Sequence, residues 1–460
     1  MIDVAPTAID LGRPISIHLV GIGGAGMSAI AVILLEMGHD VSGSDLKDSP
    51  ALDRLRALGA TITIGHHPDH VAGALLVAIS SAIGATNPEV HAAHAAGVPV
   101  VSRADLLAAI AALRRTVAIS GTHGKTTTTS MLALILLEAG LRPSFLIGGE
   151  VNEIGTNAAW SDGELFVVEA DESDGTFLRL GAELAIVTSV DADHLEYYGS
   201  LEALTAAFSR FASDAARAIV CVDDERARLL APPGAVGYGF APDAEFRISA
   251  FVGGRSEIAF ELSRGPGRLQ GFSVPVPGAH NARNAAAAVA AATLLGVPPD
   301  VARRALERFT GVDRRFQFRG EAAGVSFVDD YAHLPAEVAA TLAAARDGGW
   351  RRVVAVFQPH RYSRTESVGA EFKDAFVDAD LVVITSIDAA GEVPRPGISA
   401  KIVLDALLAA HPETAAAYLP QRDELVSYLA AVLRPGDCCM SLGAGNLTSL
   451  ADELVARMSS

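Results

Sequence analysis

Gly121-Thr122-His123-Gly124-Lys125-Thr126-Thr127 sits between an apolar strand-like run and an apolar helix-like run. Glycines at this spacing let backbone N–H groups close around a polyphosphate. The lysine after them reaches outer phosphates, and the Thr126 hydroxyl is placed for Mg²⁺. Lys125 is the only lysine between Lys47 and Lys373, so a lysine-rich composition does not account for it. The loop is shorter than G-x-x-x-x-G-K-[ST], because Ile119 stands where the first glycine would be. The plainer alternative is a glycine turn ahead of a helix with an exposed lysine; the strand–loop–helix context favours the phosphate loop.

A second glycine loop lies near the start. Gly21-Ile22-Gly23-Gly24-Ala25-Gly26 follows a buried strand pattern at 15–20 and precedes a helical pattern at 27–37. A second strand ends at Ser44-Asp45, on the order of 20 residues after the loop begins. As chemistry this is a diphosphate site, for NAD or for UDP.

Carboxylates close several of the apolar strands. Glu169-Ala170-Asp171-Glu172-Ser173-Asp174 ends one, and a carboxylate there can hold the Mg²⁺ that bridges nucleotide phosphates. Asp191-Ala192-Asp193-His194 ends the next; His194 is either a second metal ligand or incidental to a helix-capping acid pair. His280, Asn281 and Asn284 open an alanine-rich helix, with donors and acceptors able to read an adenine edge or simply to cap it. His360, Arg361 and Arg364 follow a strand in the last third, suited to a carboxylate or phosphate or to a basic surface turn. Asp329-Asp330-Tyr331-Ala332-His333 follows another strand of that region.

The elements that must position these groups alternate along the chain. At 460 residues, two to four domains are expected. Alternating strands and helices imply parallel sheets covered on both faces. The divisions expected are 1–113, 114–316 and 317–460. The first opens with a βαβ unit, the central one carries the phosphate loop with a small antiparallel portion within 232–277, and the last alternates strand and helix.

Net charge is −18, which argues against general binding to nucleic acid or anionic membrane, since either needs a basic face. Cys221, Cys438 and Cys439 form no disulfide framework or zinc spacing. Residues 1–6 lack a basic start and an apolar signal core, and no apolar run spans a bilayer without charges or glycines. A soluble cytoplasmic protein is expected.

Together these segments resemble the Mur ligases of peptidoglycan synthesis over nearly the whole chain. The likeness rests on Gly21–Ser28, Gly121–Thr127, Glu169–Asp174, His280–Asn284, Asp329–His333, Gln358-Pro359-His360-Arg361-Tyr362-Ser363-Arg364-Thr365 and Gly443-Ala444-Gly445. The resemblance implies that the first and last domains are Rossmann-like and the central one a phosphate-loop ATPase-like parallel sheet. The implied activity is ATP-dependent: the lactyl carboxylate of UDP-N-acetylmuramate becomes an acyl phosphate, and the amine of L-alanine attacks it. The resemblance selects UDP for the first glycine loop. Gly21, Gly23, Gly24, Ala25, Gly26, Met27, Ser28, Ser44, Asp45 and Ser81 are then implied for the UDP-sugar. Gly121, Thr122, His123, Gly124, Lys125, Thr126, Thr127, His280, Asn281 and Asn284 are implied for ATP, and Thr126, Glu169 and His194 for Mg²⁺. Lys125, His194, His333, His360, Arg361 and Arg364 are the implied catalytic set. A monomer or homodimer is expected.

Three departures stand out. Leu334 replaces a second histidine of the family pattern. No lysine follows the metal histidine, which agrees with the alanine-adding branch. Asp388 stands where tyrosine is commoner and is given no role. Other readings are a recycling ligase that attaches a whole tripeptide, an NAD-dependent oxidoreductase, and a nucleotide-switched binding protein. The second phosphate loop speaks against an oxidoreductase, and the many strand-end polar clusters against a bare switch.

Overall fold

A computed structural model describes residues 9–458; the first six residues, examined above for a leader, lie outside them. The chain is α/β throughout and divides into two compact units. One comprises residues up to Arg247 with Ser263–Gln270 and Asn284–Ala305. The other comprises Ile248–Leu262, Gly271–Arg283 and the chain from Leu306.

The first unit opens with β1 (Ser16–Val20), α1 (Ala25–Glu36), β2 (Asp40–Asp45), α2 (Pro50–Ala57), β3 (Thr61–Ile64), β4 (Leu76–Ile79), α3 (Pro88–Ala95), β5 (Val100–Ser102) and α4 (Arg103–Ala111). The strands form a parallel sheet in the order β3-β2-β1-β4-β5. The strand expected to end at Ser44-Asp45 is β2, which ends at Asp45. Its Ser42-Gly43-Ser44 segment is polar, yet Ser44 is fully buried. α1 is apolar almost all round and buries Met27 and the run from Ala29 to Leu34. It needs two apolar neighbours, and it packs on both β2 and the later hairpin strands.

The chain continues through β6 (Arg115–Ser120), α5 (Lys125–Glu138), β7 (Ser144–Val151), β8 (Thr156–Ala159), β9 (Leu165–Glu169), β10 (Leu184–Val187), α6 (Leu195–Tyr198), α7 (Leu201–Asp214), β11 (Arg217–Cys221), α8 (Glu225–Leu230) and β12 (Val236–Gly239). β13 (Phe246–Gly253), β14 (Ile258–Arg264), β15 (Gly267–Val274), α9 (Ala279–Leu294) and α10 (Pro299–Leu306) follow. The sheet order is β15-β14-β13-β12-β11-β10-β6-β9-β7-β8. β6 lies at its centre, between β10 and β9 and parallel to both. The expectation of antiparallel strands from 232 fails for β12, which is parallel to β11 and β13. The six-residue α8 supplies a crossover too short to read as a helix in the sequence.

The second unit carries β16 (Gln317–Ala322), β17 (Val325–Asp330), α11 (Pro335–Asp347), β18 (Arg352–Phe357), α12 (Tyr362–Val368), β19 (Leu381–Ile384), α13 (Lys401–Ala410), β20 (Ala416–Tyr418), α14 (Arg422–Val432), β21 (Asp437–Leu442) and α15 (Leu450–Met458). Its order is β16-β17-β21-β18-β19-β20, with only β16 antiparallel. Gly369–Asp374 forms a 3₁₀ turn after α12. The three cysteines are buried and form no disulfide among the described residues. Among the described residues, no helix is long and apolar enough to cross a membrane.

Candidate active site

The phosphate-type loop leaves β6 at the centre of its sheet and feeds directly into α5, so its amides crown a helix N-terminus. Gly121 has φ +138° and Gly124 φ +82°, both unfavourable for side-chain-bearing residues. A Cβ on Gly121 would also strike the Thr188 hydroxyl and lie 2.8 Å from the Ser189 amide. The end of β10 braces the loop. The Thr122 amide donates to Ser189 O at 3.0 Å, and the His123 amide to Ser189 Oγ at 2.9 Å. The Asp191 amide donates to Thr122 Oγ1 at 2.8 Å. Asn284 closes the other side, accepting from Thr128 Oγ1 at 3.3 Å.

Lys125 Nζ donates to Gly121 O at 2.5 Å and lies 2.8 Å from Glu172 Oε1. Burial works against its charge, but the carboxylates of Glu172, Asp171 and Glu169 outweigh that, and Lys125 is held above the ordinary lysine value. Thr126 Oγ1 donates to Glu169 Oε1 at 3.0 Å, and the Gly148 amide to Glu169 Oε2 at 2.6 Å. A Cβ on Gly148 would sit 2.7 Å from both carboxylate oxygens, so glycine there leaves room for Glu169. Thr126 and Glu169 therefore juxtapose two hard oxygen donors of the kind Mg²⁺ takes. His194, in a left-handed conformation with φ 54°, is engaged with Asp193 at 3.2 Å. Among the described residues, no three His, Cys, Asp or Glu side chains are grouped to hold a metal unaided. Mg²⁺ commonly takes one or two protein oxygens and completes its shell with phosphate oxygens and water, and the pair fits that pattern.

The first glycine loop caps β1. The Gly21 and Ile22 amides donate to Ser44 O at 2.8 and 3.1 Å, and the Gly23 amide to Asp45 Oδ2 at 2.9 Å. Asp45 therefore folds back on the loop, while the Ser44 hydroxyl is buried and donates to Glu89 at 2.5 Å. Ala25, Gly26, Met27 and Ser28 form the first turn of α1, and Ser81 lies exposed just beyond β4. Arg103 was not anticipated. Its guanidinium lies so close to Gly26 that a Cβ there would be 2.6 Å from Nη1. It also pairs with Asp174 at 2.8 Å and approaches Asp171 at 3.8 Å. One cation thus links the end of the first glycine loop to the acidic motif beside Lys125.

In the second unit, His333 and His360 face each other with ring centroids 5.9 Å apart. His333 Nδ1 sits 3.0 Å from Tyr331 O, which requires an Nδ1–H. His360 Nδ1 lies 3.3 Å from Arg364 Nη1, so there Nδ1 accepts. Burial, then His333, Arg364 and Arg361, push His360 down to about 4. A neutral His360 beside fixed guanidiniums suits an anion-binding site.

Arg361 has φ 67° and ψ 140°, a strained backbone for a non-glycine residue. Its amide donates to Asp388 O at 2.8 Å, and the Asp388 amide to Pro359 O at 2.9 Å. Glu392 caps the next turn through the Ser363 amide at 2.9 Å. The Asp388 backbone therefore braces the Arg361 turn. A cavity of about 630 Å³ lies behind it, lined in part by Gln358, Asp388, Arg422 and Asn446.

Arg314 and Arg315 were also not anticipated. Both cover the Tyr331 ring, and Arg314 donates to Gly443 O at 2.7 Å. They lie between elements, where no strand-end pattern marks them. Leu334 is buried as the N-cap of α11, and its amide donates to Glu337 Oε2 at 3.2 Å. On α9, Asn281 donates to Pro277 O at 2.7 Å, and burial pushes the His280 imidazole down to about 4.

Comparison with known proteins places these features in one lineage. Residues 16–115 match the Mur ligase family catalytic domain, 119–292 the Mur ligase middle domain, and 314–445 the Mur ligase glutamate ligase domain. A UDP-N-acetylmuramate–L-alanine ligase of Anaeromyxobacter dehalogenans is 46% identical over 451 residues, covering 96% of this chain and 98% of the relative. One from Pelotomaculum thermopropionicum is 45% identical over 449 residues, covering 96% and 97%. The crystal structure of a UDP-N-acetylmuramate–alanine ligase from Thermotoga maritima superposes with a TM-score of 0.79 at 29% identity, covering 96% and 99%. A murein peptide ligase from Psychrobacter arcticus shares the fold, with a TM-score of 0.67 at 24% identity over 97% and 99%.

Proposed function

The chain belongs to the Mur ligase family, and from that premise we propose that it joins L-alanine to the lactyl carboxylate of UDP-N-acetylmuramate at the expense of ATP. The observation that carries this reading is the Gly121–Thr126 loop, which combines a glycine cradle, a buried ammonium and the Thr126–Glu169 oxygen pair.

A carboxylate is a poor acylating agent, because its leaving group would be an oxide. Transfer of a phosphoryl group from ATP gives the lactyl carboxylate a phosphate leaving group, which the alanine amine then displaces. Catalysis of such a step is mainly placement and charge neutralisation. The backbone amides where the loop meets the N-terminus of α5, together with Lys125, hold the triphosphate and offset the charge that develops on transfer. Thr126 and Glu169, with His194 further along the next strand end, are the proposed Mg²⁺ residues; the ion would neutralise phosphate charge there. His280, Asn281 and Asn284 serve adenine. Arg361 and Arg364 hold carboxylates, with His333 and a neutral His360 lining the same anion site. The Gly21–Ser28 loop, with Asp45 and Ser81, takes the diphosphate and sugar.

The divisions 1–113, 114–316 and 317–460 assign these tasks to three domains, and the spans of the matching family models support them. The protein acts in the cytoplasm as a monomer or homodimer. The test is phosphate release with ATP, UDP-N-acetylmuramate, L-alanine and Mg²⁺, omitting each in turn. Loss of turnover on each omission is expected. Turnover without the UDP-sugar, or a preference for a tripeptide over L-alanine, overturns the reading.

A further inference from the structure

Glu89 lies in the first turn of α3 and is completely buried in the five-stranded domain. Every charged or chargeable side chain paired with it is a histidine. His70 Nδ1 lies 2.7 Å from Oε1, while His66 Nδ1 at 3.1 Å and His18 Nε2 at 3.7 Å face Oε2. The Ser44 hydroxyl donates to Oε2 at 2.5 Å, and the His67 amide to Oε1 at 3.3 Å. Thr63 adds a 3.3 Å contact to His70 from β3, and Ser42 a 2.9 Å contact to His18 from β2. The carboxyl is held near about 2: burial opposes ionisation, but His18, Ser44 and His70 outweigh it.

An ionised carboxylate accepts hydrogen bonds and donates none. The two imidazoles that meet it through Nδ1 must therefore carry a proton on Nδ1. Their remaining edges carry Nε2. The side chains of His66 and His70 are 12% and 22% exposed, and Nδ1 of each is turned toward Glu89. These residues follow β3 on the side of the sheet where Asp45 and Gly65 meet and where Leu46 and Ile64 expose apolar surface. Ligands of open parallel sheets bind outside those strand ends.

We propose that Glu89 is a positioning residue for UDP-sugar binding. From beneath the strand ends it fixes the ring orientation and Nδ1–H tautomer of His66 and His70. Each then offers its Nε2 edge to the nucleoside end of the ligand. The same carboxylate pins the Ser44 hydroxyl, whose carbonyl anchors the Gly21 and Ile22 amides of the diphosphate loop. Orienting ligand-facing imidazoles through a buried carboxylate follows the logic of outer-shell partners in metal sites. The inference rests on the reading of this domain as the UDP-sugar domain.

The test is Glu89→Gln in the full-length protein, assayed by phosphate release. The amide keeps the shape of the carboxylate but places one donor among groups that must donate. KM for UDP-N-acetylmuramate should rise about tenfold, the equivalent of one well-placed hydrogen bond. The kcat at saturation and the KM values for ATP and L-alanine should not change. An unchanged KM for the UDP-sugar in a folded, active variant overturns the inference while leaving the ligase reading intact. Wild-type turnover that ignores the UDP-sugar would instead overturn that reading. If Glu89→Gln does not fold, ¹⁵N-histidine NMR of the wild-type protein decides. Nδ1–H tautomers at His66 and His70 support the proposal, and Nε2–H tautomers overturn it.

Discussion

Replacing Lys125 by alanine should separate two consequences of removing one ammonium. Lys125 Nζ lies 2.8 Å from Glu172 Oε1. Glu172 is 2% exposed, and its Oε2 has no hydrogen-bond partner among the described residues. Without the lysine, a buried carboxylate loses its cation, which costs about 3–5 kcal/mol. For a cooperative unit of roughly 150–250 residues, that lowers the melting temperature by on the order of 10 °C. Turnover should fall separately, by about 10²–10³-fold or more, as when one preorganised donor to developing charge is removed. The double variant Lys125→Ala/Glu172→Gln distinguishes the effects, because a neutral amide no longer needs the cation. Thermal melting should recover most of the lost stability, while phosphate release should stay as low as in the single variant. Recovery of turnover together with stability would refute the reasoning, since Lys125 would then be acting only as the partner of Glu172. A single variant that melts like the wild type would refute the buried pairing.

Further expectations concern the oxygen pair, the arginine turn, the loop glycine and acid stability. Glu169→Gln keeps the hydrogen bond from Thr126 possible but removes the charge, so the Mg²⁺ concentration for half-maximal activity should rise about tenfold; an unchanged Mg²⁺ titration contradicts the metal assignment. Arg361→Ala should raise KM for L-alanine by about tenfold or more, the scale of a lost charge-assisted hydrogen bond, and leave KM for ATP unchanged; an effect confined to ATP argues against this placement. Gly121→Ala, at φ +138° and against Thr188 and Ser189, should abolish ATP-dependent turnover, and normal kcat would show that the loop can relax. His360 has its folded-state pKa depressed from 6.5 to about 4, so its neutral-state stability is complete above pH 6.5 and is lost as pH falls towards 4. That window amounts to roughly 3 kcal/mol at most, and denaturant titrations across it should show a shallower acid loss in His360→Asn than in the wild type.

The readable parts of this chain were those in which local pattern and chemistry coincide. Lys125 announces itself through glycines, a strand before and a helix after, and β6 and α5 bear that context out. The same holds for the Gly21–Gly26 loop between β1 and α1. Where the pattern was broken, the reading fell short. The β11–α8–β12 crossover hides because its helix is only six residues long. Arg103 directly follows β5 but stands there as a lone cation, and only the tertiary fold brings it to both Gly26 and Asp174.

Sequence patterns favour groups that touch ligands, since those groups must be polar where polarity is locally unexpected. They do not tell which groups hold the first set in place, even where, as with Glu172 and Asp329, the motif includes them. Glu172 beneath Lys125, Glu89 beneath His66 and His70, and Asp329 beside Arg314 are each almost wholly buried. Asp329 accepts from Ser441 at 2.9 Å and Thr448 at 2.7 Å, while Arg314 holds the Gly443 carbonyl. A buried carboxylate is expensive to desolvate unless its partners are fixed around it. Once fixed, it locks the orientation of every donor that meets it, which long flexible cationic side chains cannot do for themselves. The rule can be tested beyond Lys125. Asp329→Asn should loosen the Gly443–Gly445 loop and weaken substrate binding in the last domain, with hydrogen exchange of the Asn446 and Leu447 amides rising in step. Exchange that stays at the wild-type rate would show that Arg314 holds that loop without help from the acid beneath it.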